Sequence, residues 1–125
     1  MTVMHSEHED HMRAEYETFY RLGRDMFEVG SEAEIDRIDQ QRGQIARRWE
    51  DGPHAEHWAY LEDCEHDWQR SPDTMARFMD NVAFNREHQT GLAELTDVQL
   101  RSQEQARALT GNDRPRPRQR PQRGR

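Results

Sequence analysis

"SEAEIDRIDQQRGQIARRWEDGPH", Ser31 to His54, holds a start signal, an apolar stripe and a stop. Ser31 with Glu34 three residues on has the form of a capping box, in which a serine oxygen accepts from the first orphan amides of a helix. Ile35, Ile38, Ile45 and Trp49 recur at three-to-four spacing, so they share one face of a helix. Arg42 stands where that pattern reserves an apolar side chain. A charge on a buried face must be paired or reach water, and the expectation is a carboxylate across the seam, Glu65 or another. "DGPH" then breaks the chain, with Pro53 suited to the first turn of the next helix.

The same grammar extends outward in both directions. Upstream, Ser6 with Glu9 reads as a capping box. Met12, Tyr16, Phe19, Tyr20, Met26 and Phe27 follow as one apolar stripe as far as Val29, closed by Gly30. Gly23 lies inside that stripe, where glycine costs about 1 kcal/mol against alanine, and close approach of another helix or a Trp ring is its expected use. Downstream, His54, His57, Trp58, Leu61, Cys64, Glu65 and Trp68 fall on one side of a third helix. Ser71-Pro72-Asp73 opens a fourth, with Met75, Phe78, Met79 and Val82 on its face. Asn85 to Gly91 has no apolar residue, and Leu92, Leu95, Leu100 and Leu109 then suggest further helix up to Gly111. No strand alternation occurs. The fold class is therefore all-α: a small antiparallel helical bundle or paired helical hairpins, of about four helices.

Composition sets the limits. Hydrophobic residues are 32 % of the 125, and Leu, Ile, Val and Phe number only 17, a profile that borders on that of disordered chains. Three Trp, three Tyr, four Phe and six Met at helical spacing argue for a thin but real core, which self-association would help to complete. One cysteine excludes an internal disulfide framework, no leader-like apolar run opens the chain, and no stretch is long and apolar enough to span a membrane. A cytoplasmic setting is the expectation. A bacterial accessory protein suits this description, though no residue specifies it.

Charge divides the chain in two. Residues 1–111 form an acidic helical domain with twelve arginines against 24 carboxylates, whereas residues 112–125 carry six arginines, Arg114, Arg116, Arg118, Arg120, Arg123 and Arg125, against one aspartate. All basic residues are arginine. The prolines among the tail arginines favour an extended, disordered segment, and an extended guanidinium row can track phosphates without reading sequence. Pro115, Pro117 and Pro121 miss the Pro-x-x-Pro spacing of an SH3 ligand.

Catalytic and metal signals are weak. His11 and Glu15, one turn apart, could share a metal, and His57 and Cys64, two turns apart, could do so only with ligands from another helix. A di-iron bundle needs Glu-x-x-His twice, and the chain has only Asp63-x-x-His66. There is no glycine-rich phosphate cradle and no nucleophile with a base in reach, so no enzymatic activity, cofactor or small-molecule substrate is expected. The reading is a non-enzymatic adaptor: a helical body for protein partners or self-association, and an Arg-rich tail for non-specific contact with nucleic acid or an acidic surface. A metal-binding helical bundle and a partly disordered chain that folds on a protein partner are the alternatives.

Overall fold

A computed structural model describes residues 5–88 and 95–113. Among them are five helices and no strand: α1 (Ser6–Asp25), α2 (Glu32–Glu50), α3 (Ala55–Arg70), α4 (Pro72–Glu87) and α5 (Asp97–Leu109). The chain is thus an all-α helical bundle. The count is one above the four expected, because residues 85–109 do not form one run: α4 ends at Glu87 and α5 starts afresh. The start is local. Thr96 Oγ1 accepts from Gln99 N at 3.1 Å while Gln99 Oε1 accepts from Thr96 N at 3.0 Å, a complete capping box.

Helix ends follow the sequence signals with two exceptions at α1 and one at α3, where Pro53 lies in the turn before the His54 N-cap and not in the first turn of the helix. Ser31 Oγ accepts from Glu34 N at 3.2 Å, and Pro72 takes the first position of α4. α5 closes on a left-handed Gly111, φ 80°, with Gly111 N donating to Ala108 O and Asn112 N to Arg107 O, the two bonds of a Schellman ending. The first exception is at Ser6. His5 is the N-cap of α1, and Ser6 lies inside the helix and makes no cap bond. Glu9 is drawn away from that terminus by two arginines, so the reciprocal bonds of a capping box do not form. The second exception is at the far end of α1. The helix stops at Asp25, not Val29, and Phe27 falls in the turn that reverses the chain, where it is 90 % exposed.

α3 is the central element, packed against α2, α4 and α5, and its contact with α5 is the most extensive. α1 packs on α2 and α5. Two apolar clusters meet along α3. One gathers Met12, Tyr16, Ile45, Trp58 and Leu61; the other gathers Cys64, Trp68, Met79 and Ala106. The face expected of α3 is the face observed. Small residues on α5, Ser102 and Ala106, are buried against the bundle and permit close approach. Between them Gln103 is buried but satisfied: its Oε1 accepts from Trp68 Nε1 at 2.9 Å and its Nε2 donates to Tyr60 Oη at 3.0 Å.

Arg42 does not find the carboxylate expected of it. Its Nε donates to the Phe19 carbonyl at 2.9 Å and its guanidinium lies over the Phe19 ring, 4.0 Å from the centroid. Glu65 instead accepts from the Tyr16 hydroxyl and from Gln69 Nε2. The half-buried Arg42 is thereby satisfied by a backbone oxygen and an aromatic face. This also accounts for Gly23. A Cβ there would stand 2.9 Å from Arg42 Cζ, so the glycine makes room for a guanidinium, not for a helix or a Trp ring. Gly23→Ala is expected to leave stability unchanged or lower, because the roughly 1 kcal/mol gain in helix propensity is offset by displacement of Arg42. In an Arg42→Ala background the same change should stabilise by about 0.5–1 kcal/mol. Urea melts of the four proteins measure that coupling, and equal effects in both backgrounds would contradict it.

Candidate interaction surfaces and a histidine cluster

The six tail arginines lie outside the described residues. Inside them, several arginines of the body tie helices together through ion pairs or lie over aromatic rings. Arg13 and Arg101 both bond Glu9, which is 3 % exposed: Arg13 through Nε at 2.8 Å and Nη2 at 2.6 Å, Arg101 through Nε at 2.6 Å and Nη2 at 2.7 Å. Arg13 also donates to Val98 O and Gln105 Oε1, so it joins α1 to α5 along a single polar seam. Arg48 grips Glu15 with both Nε and Nη2, tying α2 to α1, and Arg86 bonds Leu95 O and Asp97, tying α4 to the start of α5. Arg107 lies over Trp68. Sequence gave Glu9 a capping role; the arginine four residues on, Arg13, was the signal for the other one.

The candidate metal residues are kept apart or occupied. His11 Nε2 is 3.8 Å from Glu15 Oε1, but that carboxylate already accepts from Arg48 and from Trp49 Nε1 at 3.1 Å. His57 and Cys64 are both buried on α3. Among the described residues no group of three or more His, Cys, Asp and Glu is arranged to hold a metal ion. Burial, first of all, pushes the Cys64 thiol up to about 12, so it is a neutral packing group. Native protein is therefore expected to resist a thiol reagent at pH 8 for as long as it stays folded, and to react fully in urea; a fast native reaction would place Cys64 at the surface.

Two open cavities flank the exposed turn between α1 and α2. One, of about 550 Å³, is lined by Tyr20, Arg21, Arg24, Asp25, Glu28 and Leu109. The other, of about 220 Å³, is lined by Gly23, Met26, Phe27, Arg42, Glu65 and Gln69. Both include Tyr20 and Arg24, and Phe27 projects beside them. Phe84 on α4 is a second exposed ring, 55 % accessible, stacked on His88. With Ile35, these are the large apolar side chains that the bundle leaves to water among the described residues.

At the opposite end of α1 five histidines approach one another. Ring centroids run from His5 to His8 at 5.9 Å, His8 to His54 at 5.4 Å and His54 to His57 at 6.2 Å. His11 lies 5.4 Å from Trp49, which stacks parallel to Trp58. A cavity of about 230 Å³ opens here, lined by His11, Glu15, Arg48, Trp49, Pro53 and His54. His54 is 7 % exposed and its Nδ1 has no hydrogen-bond partner. Burial, and then the neighbouring His8, His57 and His5, hold His54 below the ordinary imidazole range. Spacing alone placed His54 and His57 together on α3 and the other three on α1. It did not reveal that the two sets meet.

No helix among the described residues is long and apolar enough to cross a membrane. Comparison with known protein families, with characterised proteins and with solved structures finds nothing that matches this chain.

Proposed function

We propose that the protein is a non-enzymatic adaptor whose helical body meets a protein partner or a second copy of itself, and whose Arg-rich tail contacts nucleic acid electrostatically. One observation carries the reading: the chain's excess of positive charge is concentrated in the tail. The chain is −7 overall, with the excess of carboxylates in residues 1–111 and six arginines in residues 114–125. Arg13, Arg48, Arg86 and Arg101 of the body are engaged in internal ion pairs. An acidic body repels phosphate, so contact with nucleic acid falls to the tail, and such contact is non-specific and salt-sensitive. Phe27, exposed between two cavities, is the feature of the body best suited to anchor a protein partner.

The test is a salt titration of binding to a short duplex, with the whole chain and with a variant carrying glutamine at all six tail arginines. If all six engage, log K should fall against log salt with a slope of about −5, and the variant should lose both the slope and the binding. Equal binding by both proteins would move the contact from the tail to the body, and none by either at low salt would remove nucleic acid from the reading. Phe27→Ser, which changes an exposed turn residue, then asks whether partner binding or self-association depends on that ring.

A further inference from the structure

The histidine cluster sits where two helices begin. His5 is the N-cap of α1 and His54 the N-cap of α3, with His8 and His57 in the first turns. A helix N-terminus carries the positive end of the peptide dipoles, so it disfavours a cation beside it. Here two such ends are brought together, and the groups between them are the side chains whose charge changes near neutrality. Uncharged, the rings pack as aromatic surfaces, one row from α1 onto α3. Protonation places like charges at ring separations of 5.4–6.2 Å, one of them on a buried imidazole.

We propose that this cluster is an acid-operated latch: protonation frees the first turns of α1 from the start of α3, while the Glu9–Arg13–Arg101 clamp keeps α1 on α5. The charged and titratable groups about His54 are His5, His8, His11 and Glu15 of α1, Arg48 of α2 and His57 of α3. Of these only Glu15 is negative, and it is held by Arg48. Glu7, Asp10, Glu50, Asp51 and Glu56, nearby in sequence, are exposed, where water screens them. The clamp outlasts the latch because the bond from Arg101, with those from Arg13, holds the Glu9 carboxyl below its usual range, far from the imidazole range. Opening uncovers the Trp49 face that His54 now covers, an apolar surface present in acid and absent at neutrality. This inference does not involve the tail.

The sign follows from His54. Its folded value lies below the unfolded one, so the closed form has its full advantage above about pH 6.5 and loses it as pH falls towards the folded value. The experiment is a titration of the full chain from pH 8 to 4, following the imidazole resonances, tryptophan emission and amide exchange. His54 is expected to titrate below the free-histidine value. Emission should shift to the red between the imidazole and carboxylate ranges, with faster exchange confined to the first turns of α1 and the start of α3. His8→Gln alters an exposed ring only; it should raise the titration point of His54 and shrink the emission shift. His8→Gln/His54→Gln should abolish the shift. An emission change that persists unaltered in both variants, one centred in the carboxylate range, or one accompanied by exchange throughout α3 and α5 would overturn the latch.

Discussion

Trp58→Ala should cost the bundle about 3–5 kcal/mol, the usual range for removing a fully buried tryptophan. Domains of this size have about 5–15 kcal/mol in all, so the variant should lose a large share of its stability at 25 °C. Trp58 has no exposed surface and is the α3 ring on which α1 and α2 converge. Tyr16 and Phe19 of α1 meet it edge-on at 5.0 and 5.4 Å, and Trp49 of α2 stacks on it at 6.2 Å. A core with so few aliphatic residues has little else to collapse into the space. Trp58→Phe should be much milder, because it keeps the aromatic contacts and deletes a buried indole N–H that has no partner. Urea denaturation followed by circular dichroism compares the two. If phenylalanine costs as much as alanine, the indole nitrogen contributes and is bonded.

The second large effect is expected at Glu9. Glu9→Gln should cost about 3 kcal/mol, at the low end for breaking a buried ion pair because Arg101 is half exposed and can turn to water. Arg13 cannot, as its side chain is mostly buried between α1 and α5. A cycle with Arg101→Gln should show a coupling of about 1–3 kcal/mol. The pH dependence has a definite sign. Glu9 is held below its unfolded value, so its contribution is complete above the ordinary carboxylate range and is lost as pH falls through the folded value. The native protein and Glu9→Gln should therefore converge in stability in acid and differ most near neutrality. A gap that stays constant down to pH 2 would mean that the carboxylate is not the stabilising group.

Much of the architecture was legible because its signals are local. Ser31, Pro72 and Gly111 act on amides or carbonyls within a few residues, and each sits at a helix end as its type requires. The buried face of α3 was legible too, since Trp58, Leu61, Cys64 and Trp68 recur at the helical period. Thr96 with Gln99 was as local a signal as Ser31, but the sparse apolar pattern around it drew no boundary there. Ser6 misled for the opposite reason: the motif was present, and a tertiary demand on Glu9 overrode it. Phe27 continued an apolar stripe that the backbone had already left.

The candidate sites were far less legible. Arg42 showed itself as a charge on an apolar face, yet its partners are a carbonyl and a ring on α1, which no spacing within α2 encodes. The histidines were conspicuous in the sequence, but as two separate groups.

By itself, then, the sequence determined an all-α chain, most of its helix boundaries, the inward face of α3 and the segregation of positive charge into the last residues. Backbone hydrogen bonding and side-chain periodicity are short-range, so they can be read along the chain. Only the tertiary structure decided that Glu9 joins α1 to α5, that Gly23 admits a guanidinium, and that the N-termini of α1 and α3 bring their histidines together. Those pairings depend on how far one helix slides and turns against another, a quantity fixed by the sum of all interhelical contacts and written in no single segment.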